Sequence, residues 1–287
     1  MTGPPEKIAI LGGKGMLGSD VAIELKNRGI DFEVFDLPQF DITNERHLIN
    51  VLEHYKTIVN CAAYTNVDKA ESETELAFKI NAEAVGRLAY LARKHNAWIL
   101  HISTDFVFDG KGSKPYTEKD IPQPINAYGR TKLAGEQLLA ENHCSHCIIR
   151  VEWTYGMNGD NFIKKILSRA QTRKELKVVD DQFGSPTATS EAAKAICDFL
   201  PKKPQGIFHF ASQGYASRFE VAQFIIDTLK LDVALKPCKT ADFPAPAQRP
   251  LNSRFDCGKI RNIIHSPIKN WQVPLEEFLK KLNEKGS

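Results

Sequence analysis

A glycine-rich turn between a short apolar segment and a helix-like one limits, more than any other feature, what this chain can fold into. Residues 8–11 are apolar and run directly into Gly12-Gly13-Lys14-Gly15-Met16-Leu17-Gly18. Glycine allows other atoms close to its backbone, so the pattern predicts a buried strand, a tight turn and a helix. The free amides that begin a helix favour phosphate groups. The segment therefore predicts a binding site for a dinucleotide pyrophosphate, formed by Gly12, Lys14, Gly15, Met16, Leu17 and Gly18.

Short apolar segments alternate with longer amphipathic ones along the first half of the chain. The predicted strands are 7–11, 31–35, 57–60, 97–103 and 147–151, and the predicted helices are 16–27, 44–55, 75–95 and 128–142. This alternation predicts an α/β protein with a doubly wound, mostly parallel sheet of the Rossmann type. In such folds the ligands bind beyond the carboxyl ends of the strands.

The pattern changes after residue 152, which predicts a dinucleotide-binding domain over 1–152 and a smaller substrate-binding portion over 153–287. A segment near 186–213 is expected to return to the first domain. Helices are predicted at 161–170 and 188–199, a strand at 207–211, an extended loop at 243–250 and a closing helix at 275–282. Ser217 and Glu220 have the spacing of a capping box, which predicts a further helix beginning there.

Residues near the end of the second predicted strand bear on the choice of cofactor. Asp36 follows the glycine turn at a distance that suits hydrogen bonds to an adenine-ribose diol, and its charge would repel a 2′-phosphate. Lys14 favours the opposite, because its ammonium could pair with that phosphate. We therefore expect both NADPH and NADH to be accepted, with some preference for NADPH. Asp41 and Ile42 are expected to line the adenine pocket, although a helix N-cap is an equal interpretation.

A tyrosine and a lysine lie four residues apart on the helix predicted at 128–142. At that spacing Tyr128 and Lys132 share one helix face, and Thr104 directly follows the strand predicted at 97–103, at the cofactor edge of the sheet. A tyrosine with a pKa near 10 donates a proton poorly at neutral pH, whereas a nearby cation can lower that pKa. We expect Thr104 to hold a ketone oxygen while Tyr128 gives it a proton.

Net charge and hydropathy indicate which classes of binding partner to expect. The 287 residues carry a formal net charge of +3 and no apolar run long enough to cross a membrane, so neither nucleic acid nor a membrane is an expected partner. Six scattered cysteines without a secretion signal predict a cytoplasmic protein. Cys144 and Cys147 lie beside two histidines, but no second ligand pair follows at zinc-finger spacing, so we expect no bound metal.

Several longer segments carry a family resemblance. They are 60–71, 103–110, 126–136, 150–153, 181–187 and 248–250. Together with the glycine turn they resemble the dTDP-4-dehydrorhamnose reductase family, within the extended short-chain dehydrogenase/reductase superfamily, over nearly the whole chain. The resemblance implies NAD(P)H-dependent reduction of the 4-keto group of dTDP-4-dehydro-L-rhamnose.

The same resemblance implies roles for individual residues. Tyr128, Lys132 and Thr104 match the catalytic positions. Other matched positions would lie beside the cofactor (Ala62, Ala63 and Tyr64), near the sugar (Asp105 and Trp153) or against thymidine diphosphate (Gln182 and Arg249). The carboxylates through which some relatives dimerise around magnesium have no match here, so no metal is carried over and a homodimer is left open.

One departure and two alternatives accompany the resemblance. Phe106 stands where the family usually has tyrosine, which removes a phenolic contact to the substrate. A dehydratase or epimerase of the same superfamily would also use Tyr128 and Lys132, but such dehydratases carry Asp-Glu after the threonine. A non-catalytic NADP-binding subunit, similar to the partner of methionine adenosyltransferase, could keep both residues as well.

Overall fold

A six-stranded parallel sheet forms the centre of the computed structural model, which describes residues 7–286. Its strand order is β10-β5-β4-β3-β1-β2. The strands of this sheet are β1 (Ile8–Leu11), β2 (Phe32–Phe35), β3 (Thr57–Asn60), β4 (Trp98–Thr104), β5 (Ser145–Val151) and β10 (Gly206–Phe210). The chain builds the sheet outward from β1 in both directions, so a crevice opens between β1 and β3 at the carboxyl ends. The predicted fold class is confirmed.

Ten helices accompany the strands in the described part of the chain. They are α1 (Met16–Asn27), α2 (Glu45–His54), α3 (Thr74–Phe78), α4 (Ala84–Lys94), α5 (Ala127–Glu141), α6 (Phe162–Ala170), α7 (Thr189–Phe199), α8 (Arg218–Leu229), α9 (Gly258–Arg261) and α10 (Gln272–Gly286). Short strands outside the central sheet are β6 (Thr154–Tyr155), β7 (Glu175–Val179), β8 (Phe183–Gly184), β9 (Thr187–Ala188), β11 (Ala216–Ser217) and β12 (Ala234–Cys238).

Both faces of the central sheet are buried, because successive side chains of a strand point to opposite sides. In β1, Ile8 and Ile10 belong to the core beneath α1 and α7, whereas Ala9 and Leu11 belong to the core beneath α2 and α4. A third core, built from α6, α8, α10 and β7, lies in the C-terminal part of the chain. The strand β10 pairs with β5, as expected for a returning segment, and the domain limits proposed from the sequence stay a prediction.

The structure differs from the predicted elements in two places. The helix predicted at 75–95 is divided into α3 and α4 by a π-helical turn, Lys79–Glu83, in which buried Asn81 bonds the backbone of Tyr64 and the hydroxyl of Thr131. The strands β7 and β12 were not predicted. They pair with each other outside the central sheet and carry charged, exposed residues, so neither has the apolar run that marked the central strands.

No helix of residues 7–286 is long and apolar enough to span a membrane.

Candidate active site

A cavity of about 810 Å³ lies at the carboxyl ends of the central strands. The glycine turn after β1, the segments after β2 and β3, the end of β4 and the first turns of α5 contribute to its wall. These elements meet because the carboxyl ends of parallel strands share one edge of the sheet. The cavity contains most of the site residues that the sequence predicts.

The turn after β1 brings two glycines against neighbouring backbone. A Cβ on Gly12 would lie 2.6 Å from the amide nitrogen of Ala62, and φ at Gly12 is +73°. A Cβ on Gly18 would lie 2.3 Å from the carbonyl oxygen of Gly12. Helix α1 begins at Met16, and Gly15 at its N-cap offers no side chain to the first-turn amides. The turn therefore leaves backbone N–H groups and an open surface facing the cavity.

The acidic residue at the end of β2 contacts this turn directly. The Asp36 carboxylate accepts the backbone N–H of Lys14 at 2.7 Å and that of Leu37 at 2.8 Å. The Lys14 ammonium donates to the carbonyl oxygen of Leu37 at 3.1 Å. Lys14 and Asp36 both line the cavity, so the two residues that favour different cofactors lie side by side.

The segment before α2 shows which residue caps this helix. Asn44, rather than Asp41, caps α2, because its side chain accepts the N–H of Arg46. The Asp41 carboxylate instead accepts the N–H and the hydroxyl of Thr43, each at 2.8 Å. Asp41 and Ile42 line the cavity, and their contact with an adenine stays a prediction.

After β3 the structure separates three residues that the resemblance grouped. Ala62 and Ala63 line the cavity, but Tyr64 is not among the lining residues. The Tyr64 hydroxyl donates to Glu73 at 2.6 Å, and the Tyr64 backbone is held by Asn81 in the π-helical turn. The cofactor contact expected of Tyr64 stays a prediction.

Tyr128, Lys132 and Thr104 line the same cavity. Thr104 ends β4, and Tyr128 and Lys132 lie in the first turns of α5, whose N-cap Asn126 accepts the N–H of Gly129 at 2.8 Å. The first turn of α5 also lies close to the segment after β4, since a Cβ on Gly129 would meet the Phe106 carbonyl oxygen at 2.1 Å. The convergence expected from the sequence is thus present.

The electrostatics of the tyrosine differ from the expectation. Burial raises the pKa of Tyr128, the charge of Asp105 raises it further, and a hydrogen bond to Thr104 acts in the opposite direction. Burial lowers the pKa of Lys132 to about 8. The Lys132 amine contacts the Ile102 carbonyl oxygen at 2.7 Å and the His101 ring at 3.2 Å. The expected lowering of the Tyr128 pKa by Lys132 is therefore absent here, because burial and Asp105 dominate.

A buried acidic group lies beside Thr104. The Thr104 hydroxyl donates to Asp105 at 3.0 Å, and the Ser253 hydroxyl donates to the other carboxylate oxygen at 2.5 Å. Burial nevertheless raises the pKa of Asp105 to about 6. Ser253 was missed by sequence reasoning, because it is 148 positions away from Asp105 and no local motif marks it.

Arg218 is a cavity residue that the sequence reasoning missed. It is the first residue of α8, where the predicted capping box between Ser217 and Glu220 is present, and its guanidinium lies 3.5 Å from the ring centroid of Trp153. Trp153 and Asp105, both expected near the sugar, line the cavity with Arg218. Burial lowers the pKa of Arg218 to about 9, and the charge of Asp105 opposes this shift.

Gln182 and Arg249 do not belong to the cavity lining. The Gln182 amide donates to the Thr240 hydroxyl at 3.1 Å. The Arg249 guanidinium pairs with Asp68 at 2.8 Å and also donates to the Ala247 carbonyl oxygen at 2.5 Å. Their predicted contacts with thymidine diphosphate stay a prediction. Phe106 lines the cavity with its ring 5.6 Å from that of Tyr128, in an edge-to-face arrangement.

The histidine and cysteine cluster lies away from this cavity. Cys147 is fully buried in β5, and the Cys144 sulfur contacts His146 at 3.7 Å. Over residues 7–286, no three or more histidine, cysteine or acidic side chains are grouped so that they could hold a metal ion.

The doubly wound sheet, the glycine turn and the tyrosine and lysine of α5 define a dinucleotide-binding protein of the short-chain dehydrogenase/reductase class. The chain belongs to the family described as RmlD substrate binding domain, which matches residues 6–284. A dTDP-4-dehydrorhamnose reductase from Aggregatibacter actinomycetemcomitans is 36% identical over 95% of this chain and 98% of its own length. The spore coat polysaccharide biosynthesis protein SpsK of Bacillus subtilis is 34% identical over 96% of this chain and 97% of its own.

A solved structure of the same family is also similar to this chain. The dTDP-4-dehydrorhamnose reductase of Bacillus anthracis in complex with NADP superposes with a TM-score of 0.92 at 36% sequence identity, covering 97% of this chain and 100% of the other. The resemblance derived from the sequence is therefore confirmed at the level of the family.

Proposed function

We propose that this chain is an NAD(P)H-dependent reductase that converts the 4-keto group of dTDP-4-dehydro-L-rhamnose to the alcohol of dTDP-L-rhamnose. One observation carries the proposal: a single cavity contains the glycine turn at one part of its wall and Thr104, Tyr128 and Lys132 at another. The relatives named dTDP-4-dehydrorhamnose reductase support the choice of substrate.

The residues of the cavity fit a dinucleotide. Gly12 and Gly18 leave space that a Cβ would fill, and the first-turn amides of α1 can bind a pyrophosphate. Lys14, Gly15, Met16, Leu17, Asp36, Asp41, Ile42, Ala62 and Ala63 would complete the cofactor site. When bound, NADPH supplies the hydride for the reduction of the ketone.

Tyr128, Thr104 and Lys132 would have different roles in the reduction. The buried phenol keeps its proton until a ketone oxygen is within hydrogen-bond reach, and then it can act as a general acid. The Thr104 hydroxyl lies at the same place and can donate to that oxygen if it exchanges its bond to Asp105. Lys132 is proposed to hold the ribose of the cofactor, because it lines the cavity and its amine is fixed by the Ile102 carbonyl oxygen of β4.

The substrate would lie beyond the reacting carbon, against Trp153 and Asp105. Arg218 is a further candidate for this part of the site, because its guanidinium stacks on Trp153 within the cavity. The contacts proposed for Gln182 and Arg249 rest on the family resemblance alone. Both residues lie in the C-terminal part, where Arg249 is held by Asp68.

The purified chain should oxidise NADPH when dTDP-4-dehydro-L-rhamnose is added, which a fall in absorbance at the wavelength of the reduced nicotinamide would report. NADH should be accepted more weakly, because Lys14 can pair with the 2′-phosphate that NADPH carries and NADH lacks. NADH should still be accepted, because Asp36 suits its free ribose diol. NADPH binding without oxidation would contradict the proposal and favour the non-catalytic subunit. A large preference for NADH would contradict the proposed cofactor selectivity.

A cytoplasmic location and a homodimer are separate proposals. Six free cysteines suit a reducing compartment. Light scattering on the purified protein would measure its oligomeric state.

A further inference from the structure

Arg218 lines the cavity together with Trp153 and Asp105. It is the first residue of α8, where its backbone N–H donates to the Gln182 carbonyl oxygen at 3.1 Å. Its guanidinium lies 3.5 Å from the ring centroid of Trp153 and 4.8 Å from that of Phe162. Two aromatic rings therefore orient this cation at the cavity wall.

The indole of Trp153 is itself held in a defined position. The Trp153 backbone has a φ of +43°, in the left-handed region that a large residue rarely adopts, and its carbonyl oxygen accepts the N–H of Thr187 at 3.2 Å. A Cβ on Gly184 would lie 2.6 Å from Trp153 Cε2, so the backbone of β8 packs directly against the ring. Strained residues of this kind are concentrated at functional sites. Because the Arg218 guanidinium covers a face of this indole, a ligand that approaches that face meets the guanidinium first.

The guanidinium of Arg218 has no ion-pair partner in the described part of the chain. The charges of Asp105 and Glu152 act on it through space. However, the two carboxylate oxygens of Asp105 accept hydrogen bonds from the hydroxyls of Thr104 and Ser253, and the buried Glu152 carboxylate forms no hydrogen bond with it. The N–H groups of Arg218 are therefore available to a ligand.

The electrostatics of this part of the cavity favour an anion. Burial lowers the pKa of Arg218 to about 9, which leaves the guanidinium charged at neutral pH. The charge of Arg249 also reaches Arg218, although Arg249 is itself paired with Asp68 at 2.8 Å. A cation that is partly withdrawn from water without a partner is costly, and a bound anion would offset that cost.

The proposed substrate supplies an anion in this region. A dTDP-sugar carries a phosphate on its anomeric carbon, across the sugar ring from the 4-keto group that Thr104 and Tyr128 would contact. The planar fork of a guanidinium matches two oxygens of a phosphate at once. We propose that Arg218 binds the sugar-attached phosphate of the substrate and that Trp153 is a positioning residue that orients the guanidinium for this contact. The assignment rests on the proposed function for the identity of the substrate.

Equilibrium binding of dTDP and dTMP to the full chain tests the assignment without turnover. The terminal phosphate of dTDP corresponds to the phosphate that carries the sugar, and dTMP lacks it. Arg218→Gln should weaken dTDP binding by about 10- to 100-fold and leave dTMP binding nearly unchanged, because hydrogen bonds between charged groups are lost. Arg218→Lys should bind dTDP with intermediate affinity, since an ammonium keeps the charge without the fork.

A matched control and a double-mutant cycle separate contact from positioning. Arg87→Gln removes a guanidinium that lies 6.0 Å from the ring of Tyr90, away from the cavity, and should change neither affinity. Trp153→Leu should weaken dTDP binding in the wild-type background but not in Arg218→Gln, because the indole acts through the guanidinium. Trp153→Phe should keep most of the affinity, since it retains an aromatic ring. Equal losses from Trp153→Leu in both backgrounds would overturn the positioning role.

NADPH binding distinguishes the substrate phosphate from the phosphates of the cofactor. The Kd for NADPH should be the same in Arg218→Gln and the wild type, because the cofactor pyrophosphate is expected at the first-turn amides of α1, and this result also shows that the variant is folded. If Arg218→Gln does not fold, the ratio of dTDP to dTMP affinity in Arg218→Lys decides.

Four results would overturn the phosphate contact. They are a wild type that does not bind dTDP, an unchanged dTDP affinity in the Arg218 variants, equal losses for dTDP and dTMP, and a larger loss for NADPH than for dTDP. A wild type that binds dTDP but reduces no ketone would instead contradict the proposed function, and the binding data would still decide the role of Arg218.

Discussion

Tyr128 holds its proton firmly because it is buried and because Asp105 lies nearby. A sequence that shows tyrosine and lysine four residues apart predicts their shared helix face but not the other charges around them. Here Asp105 raises the Tyr128 pKa, and Lys132 contacts His101 and Ile102. At the scale of single residues, the positions were predictable and the protonation states were not.

Replacing the phenol tests the role assigned to it. We expect Tyr128→Phe to lower kcat by about 10²- to 10⁴-fold, because the variant lacks a general acid. The KM for NADPH should change little, since phenylalanine keeps most of the shape. Steady-state kinetics of NADPH oxidation measure both values, and Tyr90→Phe on α4 serves as the matched control. A kcat equal to that of the wild type would remove Tyr128 from the mechanism.

The raised pKa of Asp105 has a consequence for stability. Its pKa is about 6 in the folded chain against a usual value of 3.8, so the folded state binds the proton more tightly than the unfolded state. The contribution of Asp105 to the free energy of unfolding therefore decreases as the pH rises from about 4 to about 6, by about 3 kcal/mol in total.

Asparagine cannot lose this proton, so Asp105→Asn should become more stable relative to the wild type as the pH rises. We expect the difference in Tm between variant and wild type to grow in favour of the variant between pH 4 and pH 7. Thermal unfolding at both pH values measures it. A constant difference would show that Asp105 does not titrate in this range.

Helix α5 connects the site to the core at the scale of elements. Tyr128, Lys132 and Glu136 follow one another at intervals of four residues, so they lie along one face of the helix. Tyr128 and Lys132 line the cavity. Glu136 is buried, and its carboxylate accepts two hydrogen bonds from the Arg150 guanidinium of β5, at 2.9 and 2.6 Å. This ion pair orients the same helix face that carries the proposed acid.

Breaking this pair should be costly. Glu136→Gln leaves the buried Arg150 guanidinium without its counter-charge, so we expect the free energy of unfolding to fall by about 3–5 kcal/mol. The matched control is Glu45→Gln, which removes a half-exposed pair with Arg87 at 3.5 Å and should cost less than about 1 kcal/mol. Chemical denaturation measures both variants. Equal losses would contradict the importance assigned to the buried pair.

The elements that the sequence predicted well are those with strong local signals. The strand Thr57–Asn60 and the helix Met16–Asn27 have the predicted limits, and the capping box at Ser217 is formed as expected. The π-helical turn at Lys79–Glu83 was missed because it depends on contacts of Asn81 with residues far along the chain. The strand β12 was missed because it pairs only with β7, and a partner outside the main sheet leaves little apolar pattern.

At the scale of the whole molecule, contacts between distant segments form one side of the site. Ser253 bonds Asp105 after β4, and Arg249 and the Ala247 backbone bond Asp68 after β3. These bonds attach the C-terminal loop to the carboxyl edge of the central sheet. A loop was predicted at 243–250, but neither its attachment to Asp68 nor the bond from Ser253 to Asp105 could be predicted from the residues of these segments alone.

Cofactor binding should stabilise the whole chain. A ligand that binds only the folded state adds about 2.7 kcal/mol to the free energy of unfolding at a hundred times its Kd. We therefore expect NADPH to raise Tm by several degrees, and NADH to raise it less at the same concentration. Thermal shift with each nucleotide measures the difference, and Gly18→Ala is the control because its Cβ would meet the Gly12 carbonyl oxygen. No shift with either nucleotide would contradict a dinucleotide site.

The sequence by itself determined the parallel α/β fold, the glycine turn and the shared face of Tyr128 and Lys132. Each of these depends on residues within a few positions of one another, where backbone geometry and hydrophobic period are enough. Only the tertiary structure decided that burial raises the pKa of Asp105 to about 6, that Arg218 stacks on Trp153, and that Asn60 and His101 lie behind Lys132. Burial and charge at a site are set by segments that meet through folding, and their separation along the chain leaves no local pattern.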